Sequence, residues 1–425
     1  MLDRTLAPKI SPIERFDIPQ PLHDELPNKI DLYTINLGDS DVMRIDFIFA
    51  SGKWHQEKIL AATFTNQLLK EGTANLSSKE IAEKLDYHGA WLQSSVTQHN
   101  SYITVYLLNK HLLNLLPIIE AIIKEPTFPE EELKTILNRH KEQHRINREK
   151  VEHLCLEASV GQLFGESHPY GKHASLADFD NLTRTDILDF YQKHYHSGNC
   201  KIMLTGKVTE TTKKLISECF GFENWGKAST KHQISYPIVV SNQKIVKVEK
   251  PDAMQSAIRI AAPCISREHP DFHGLKVLNT LFGGYFGSRL MANIREEKGY
   301  TYGIGSSVAT QQMGSYMSIS TQTGSEYVEP LIEAVFEEMQ KLQEIEVEAE
   351  ELACVRNYLL GDFTRSFDGP FAIADAHISL LANKLSIDYY QNQIETIRQI
   401  DAAILQNLAK KYLNREQFYL AIAGK

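Results

Sequence analysis

Cysteine is scarce and scattered. The five residues Cys155, Cys200, Cys219, Cys264 and Cys354 include no CxxC pair. A thiolate zinc site or a dithiol redox motif therefore has no basis, and an odd set of isolated thiols fits a reducing compartment. A basic excess is also missing. Lys and Arg number 45 against 54 Asp and Glu, a net charge of −9, whereas a nucleic-acid surface needs clustered cations to meet phosphates. Long hydrophobic runs are lacking too: the densest stretch, Leu112 to Ile123, is interrupted by Asn114, Pro117 and Glu120 and is too short to span a bilayer. The first residues, Met1 to Lys9, lack the apolar core of a secretory signal. These absences lead to the expectation of a soluble, cytoplasmic protein with no nucleic-acid or membrane partner.

What is present has an ordinary globular balance. Of 425 residues, 42% are apolar and 23% charged, enough for two or three domains. Internal repetition narrows this further. Ile187-Leu188, Tyr195 and Gly206-Lys207 return as Ile404-Leu405, Tyr412 and Gly424-Lys425. Pro117-Ile-Ile-Glu-Ala-Ile returns as Pro330-Leu-Ile-Glu-Ala-Val. The offsets, 213 to 218 residues, are about half the chain.

Each half follows the same plan. An alternating strand opens it (Val42 to Ala50; Ile245 to Ala262), and a helix follows (Ile59 to Lys70; Pro270 to Phe282). Then come a strand (Ser101 to Leu108; Ser315 to Thr321), a long helix, more helices, and a closing strand (Lys201 to Thr205; Phe418 to Ala423). Strands and helices mix without strict alternation, so the expected class is α+β with a largely antiparallel sheet in each half. The domains are expected over residues 1–220 and 240–425, joined by the polar stretch 221–243.

The segment Phe64 to Thr73, FTNQLLKEGT, with the Lys79-Glu-Ile-Ala helix after it, resembles the pitrilysin-type (insulinase-like, M16) zinc peptidases. The resemblance extends through His168-Pro-Tyr-Gly-Lys172 and Gly283-Gly-Tyr-Phe-Gly-Ser-Arg-Leu290 and runs nearly end to end. In that family a helix carries His-x-x-Glu-His. Two His at i and i+4 bind zinc, the Glu activates the metal-bound water, and a second Glu roughly 75 residues on completes the ligands. Here the corresponding positions hold Thr63, Asn66, Gln67 and Gln143. All four are neutral, so the resemblance implies a lost zinc site, no cofactor in this chain, and zinc in a partner subunit.

Two other features bear on metal and nucleotide binding. His140 and His144 lie at i, i+4 with Glu142 between them and His153 nearby, in a stretch that is polar almost throughout. Without a carboxylate ligand in register such a pair reads as an incidental, solvated helix face. The Leu281-Phe-Gly-Gly-Tyr-Phe-Gly-Ser-Arg cluster has neither the GxGxxG order nor a GK[ST] ending, and its glycines read as dihedral requirements of a tight helix-to-loop turn.

The second half carries Asn293-Ile-Arg-Glu-Glu-Lys-Gly-Tyr-Thr-Tyr-Gly303. In the family, an Arg and a Tyr seven residues later reach the substrate carbonyl. The resemblance assigns these roles to Arg295 and Tyr302, with Tyr300 as the competing tyrosine. A guanidinium and a phenol are suitable donors for an oxygen that gains charge. Trp91 to Val96 reads as an edge strand, at the place where active relatives pair with substrate. The resemblance thus implies the non-zinc subunit of a heterodimeric peptidase, forming half of a clam-shell with a homologous subunit that keeps His-x-x-Glu-His and acting on peptides. The rival implication is an inert scaffold, as in respiratory-complex core subunits, or a peptide-binding protein of the same fold.

Overall fold

The computed structural model describes Thr5, residues 17–227 and residues 235–425. Among the described residues eleven strands form two sheets. The first contains β1 (Leu22–Glu25), β2 (Asp31–Asn36), β3 (Val42–Phe49), β4 (Trp91–Val96), β5 (Ser101–Leu108) and β6 (Cys200–Gly206), in the order β1-β2-β6-β3-β5-β4. The second contains β7 (Ile245–Glu249), β8 (Ser256–Cys264), β9 (Ile304–Gln311), β10 (Gly314–Thr323) and β11 (Tyr419–Gly424), in the order β7-β11-β8-β10-β9. Apart from β1 the two orders are the same. Each sheet holds one parallel pair, β2 on β6 and β7 on β11, and is otherwise antiparallel. The class is α+β, with two halves of like topology.

One element departs from the sequence expectation. The single strand expected over Ile245 to Ala262 is two, because Lys250 to Gln255 turn between β7 and β8. Pro251 and Asp252 in that stretch explain the break, since neither suits a ladder.

Local chemistry starts several helices. Ser77, Thr183 and Thr209 each form a capping box with the residue three further on, satisfying amides that the first turn leaves free. One face of each sheet is closed by helices of its own half. Phe47, Ile103, Ile119 and Phe220 belong to the first core; Ile260, Leu331, Val335 and Leu405 belong to the second.

The opposite faces are closed by exchange. The helix Val151–Phe164 lies on β8 and β11, with Val151 and Cys155 against Ala257, Ala421 and Ala423. Reciprocally, the helix Pro370–Asn383 lies on β6 and β2, with Ile373 and Ile378 against Ile35, Ile48 and Met203. Each half thus completes the other's core. The stretch 221–243, expected to join the two domains, is anchored where it is described. Trp225 is buried beside Phe49 and Phe220, and Val239 N–H donates to the Phe164 carbonyl at 3.2 Å.

Candidate functional site

Thr63, Asn66 and Gln67 lie on the helix Ala61–Leu68, packed over the first sheet. Asn66 is fully buried, and its Nδ2 donates to the Tyr195 hydroxyl at 3.1 Å and to the Tyr102 carbonyl at 3.4 Å. It is a core link between helix and sheet. Gln143, on the helix Glu130–Arg148, is exposed and donates to Asn147 Oδ1 at 3.2 Å. No hydrogen bond joins any two of the four. The buried Asn66 Oδ1 and Gln67 Oε1 have no hydrogen-bond partner among the described residues, but a neutral amide oxygen is a poor zinc donor and takes up no proton. The donor set does not fit the family's metal.

His140 and His144 are not on a solvated face. The His140 ring stands 5.2 Å from Phe64 and the His144 ring 5.4 Å from Phe179, between centroids. Burial lowers both pKa values from the ordinary histidine range. The i, i+4 spacing here serves packing of one helix face. Among the described residues, no three His, Cys, Asp or Glu side chains are grouped as a metal site requires.

The second half builds a different arrangement. Two wide, π-type turns, Thr280–Gly284 and Met291–Glu297, flank the glycine cluster; such turns often accompany functional sites. Gly283, Gly284 and Gly287 do not take positive φ, contrary to the expectation from sequence. The requirement at Gly283 is closeness: a Cβ there would meet Leu290 Cδ1 and Ser306 Oγ at 2.7 Å. The second turn is fixed from below. Asn293 Nδ2 donates to Glu338 Oε1 at 2.5 Å, and Lys341 Nζ sits 2.6 Å from the same oxygen.

Arg295 leaves this turn with its guanidinium oriented. Its Nε donates to the Tyr302 carbonyl at 3.0 Å, and its guanidinium carbon lies 5.0 Å from the centre of the Phe286 ring. Tyr302 is 92% exposed, far beyond the usual state of a large aromatic side chain. Tyr300 has a different role: it packs on the second core and stacks on Tyr327 with centroids 5.2 Å apart. The loop is tied down around them, because Thr301 Oγ1 donates to the Gln322 carbonyl at 2.6 Å and Thr321 Oγ1 reaches Thr301 Oγ1 at 2.9 Å. Tyr302 borders a cleft of about 390 Å³ between the helix Val151–Phe164 and the second sheet.

The structure therefore brings Arg295 to Tyr302 but not to the Thr63–Gln143 set. No hydrogen bond, ion pair or ring contact connects the two groups. Phe286 lies within the Gly283–Leu290 segment, and its 66% exposure follows from the packing and not from the local sequence. β4 is an edge of its sheet, with Trp91 61% exposed and stacked on Tyr106.

Two family models match the chain. One, described as insulinase (peptidase family M16), matches residues 57–166, and the other, described as peptidase M16 inactive domain, matches residues 181–359. Together they cover more than half of the sequence. The chain is similar to the uncharacterized zinc protease YmxG of Bacillus subtilis, with 21% identity over 366 residues, 84% of this chain and 87% of that protein. Among solved structures, the peptidase M16 inactive domain from Pseudomonas fluorescens matches with a TM-score of 0.83 at 22% identity, covering 95% of this chain and 98% of that one. A protease from Helicobacter pylori matches with a TM-score of 0.86 at 16% identity, covering 96% and 100%.

Proposed function

The chain belongs to peptidase family M16, and on that premise we propose that it is the zinc-free subunit of a two-chain metallopeptidase, donating Arg295 and Tyr302 to the substrate of a zinc-bearing partner. One contrast carries the reading. The four zinc positions hold neutral side chains, one of them locked into the core, while Tyr302 stands 92% exposed beside an Arg295 whose guanidinium is already oriented. A purely structural second half gains nothing from an exposed phenol.

The partner, a homologous subunit keeping His-x-x-Glu-His, would supply the metal, the nucleophile and the base. This chain's part is positioning and charge stabilisation. The Tyr302 hydroxyl and the Arg295 guanidinium donate to a peptide carbonyl oxygen and hold it more strongly as it becomes an oxyanion. The backbone link from Arg295 Nε to the Tyr302 carbonyl joins both donors into one unit, so little order is lost when substrate arrives. The substrate class is peptide or unfolded segment. Among the described residues no helix is long and apolar enough to cross a membrane.

The test is reconstitution. This chain mixed with a zinc-bearing homologue should cleave a quenched fluorescent peptide that neither cleaves alone, and Tyr302→Phe should depress that rate. The scaffold reading, favoured by the likeness to a structure named an inactive domain, expects complex formation with a rate indifferent to Tyr302.

A further inference from the structure

The two halves treat an arginine on the exchanged face in opposite ways. In the first half, β3 pairs with β6 so that Arg44 faces Thr205 and Asp46 faces Met203, one and three residues before Gly206. In the second, β8 pairs with β11 so that Ala257 faces Ala423 and Arg259 faces Ala421, one and three residues before Gly424. The helix Pro370–Asn383 covers the first pair and the helix Val151–Phe164 covers the second. These are equivalent places in the repeated topology.

Arg44 is fully answered there. It lies 2.8 Å from Asp46 Oδ2 and 2.7 Å from Asp375 Oδ1, and its Nη1 reaches the Phe371 carbonyl at 3.4 Å. Arg259 is half-buried, and its side chain has neither a hydrogen-bond nor an ion-pair partner among the described residues. The position matching Arg44 is Ala257, so no neighbouring carboxylate is built in. A guanidinium taken partly out of water without an ion pair is less well solvated than a paired one, and the one carboxylate that lines its cleft, Glu152, is not within ion-pair distance.

The space around it is shaped for a guest. Arg259 lines the same cleft as Tyr302, together with Gln255, Ser320, Gln322 and Glu152. Cys155 and Ala257 line its inner end. Glu152, on the rim, is engaged by Gln322 Nε2. We infer that the cleft beside Tyr302 is a carboxylate-binding subsite in which Arg259 receives an acidic group of the peptide in a two-point guanidinium–carboxylate contact. The acid can come from a free chain terminus or from an Asp or Glu side chain. This names the substrate class for the site proposed above and rests on that reading for where the peptide runs. Binding by this chain alone needs no zinc-bearing partner, so the two ideas fail separately.

The experiment is fluorescence anisotropy of the isolated chain with three dye-labelled octapeptides. The first has no acidic side chain and a free C-terminal carboxylate, the second is its C-terminal amide, and the third is an amide with one internal Glu. At least one acid-bearing peptide should bind about tenfold or more tighter than the plain amide, and which one does so identifies the source of the carboxylate. Arg259→Ala should reduce that peptide to the level of the amide, and Arg259→Lys should recover part of the difference, since it keeps the charge and loses the fork. Ala257→Asp, which places a carboxylate two residues from Arg259 on the same strand, should also abolish the preference in a chain that still folds by circular dichroism. Equal binding of all three peptides, no binding by any, or a preference that survives both Arg259→Ala and Ala257→Asp would overturn the inference.

Discussion

Replacing Arg44 by Met isolates the cost of a buried unpaired charge at the place where the halves exchange helices. Asp46 is fully buried, and besides Arg44 its recorded donor is Thr104 Oγ1 at 2.7 Å. Asp375, by contrast, has a side chain 66% exposed, so water answers it once the arginine is gone and its share of the loss is small. The expected destabilisation is therefore that of leaving Asp46 alone, about 3–5 kcal/mol. Because the halves complete each other's cores, the unit is roughly 400 residues, and the melting temperature falls by about 5 °C. The pH dependence has a definite sign. Burial is already the leading influence on Asp46 and raises its pKa; without the guanidinium the raise grows. Native Asp46 then takes up a proton that the unfolded chain does not hold, so the variant regains stability relative to wild type as pH falls from 7 toward 4. Adding Asp46→Leu should restore most of the loss at neutral pH, because no charge is left to bury. The assay is thermal unfolding followed by tryptophan fluorescence, since Trp54 and Trp225 are buried. A loss below about 1 kcal/mol, or a deficit that widens in acid, would refute the reasoning.

In the reconstituted pair, Tyr302→Phe should lower kcat by about 10²–10³ with little change in KM, whereas Tyr300→Phe should leave kcat alone; full activity of Tyr302→Phe removes the trans-acting role. Elemental analysis of the purified chain should find far less than one zinc per molecule, and stoichiometric zinc with chelator-sensitive peptide hydrolysis would overturn the assignment of Thr63, Asn66, Gln67 and Gln143. His99, His194 and His273 are each held down to about 4 by burial. Between about pH 6.5, the ordinary histidine value, and pH 4 the unfolded chain binds protons that these three do not. Stability should fall steadily across that window, and a melting temperature flat from pH 7 to 4.5 would contradict it.

The fold class was legible because a repeat is a statement about topology. Gly206-Lys207 and Gly424-Lys425 mark the ends of β6 and β11, which occupy matching places in their sheets. Periodicity also placed β3, β5 and β10 within two residues of where they lie. The helix exchange was not legible. The helix Val151–Phe164 carries apolar residues on most of its circumference, and periodicity reports that a face is buried without saying against what. The glycine cluster failed for a related reason: sequence suggests dihedral freedom, whereas Gly283 is excluded from bearing a Cβ by Leu290 and Ser306, which approach it from elsewhere in the chain. At the candidate site, Arg295 and Tyr302 came from a motif, and Tyr302 is the exposed member of the two tyrosines. Arg259 gave one signal, a single charge within the otherwise uncharged and mostly buried strand Ser256–Cys264. Its meaning depends on whether a carboxylate lies across from it, which only the packing decides.

The asymmetry between the halves has a direction. On the face that the halves exchange, the first half pairs its arginine: Arg44 meets Asp46 and Asp375. In the second half Arg259 has no ion-pair partner among the described residues, and the Phe286 and Tyr302 side chains face solvent. Unanswered groups weaken a fold, and a repeat offers an internal standard for what the answered version looks like. The first half is that standard, and its stability is the reference against which the open positions of the second are seen as costs. Costs of this kind gather at sites that await a ligand. The proposed roles of Tyr302 and Arg259 follow from one physical argument. The half with neutral side chains at positions 63, 66, 67 and 143 has its arginine paired, while the half that carries Tyr302 and Arg259 leaves both side chains without a partner among the described residues, within one cleft, at the boundary that the exchanged helix Val151–Phe164 creates.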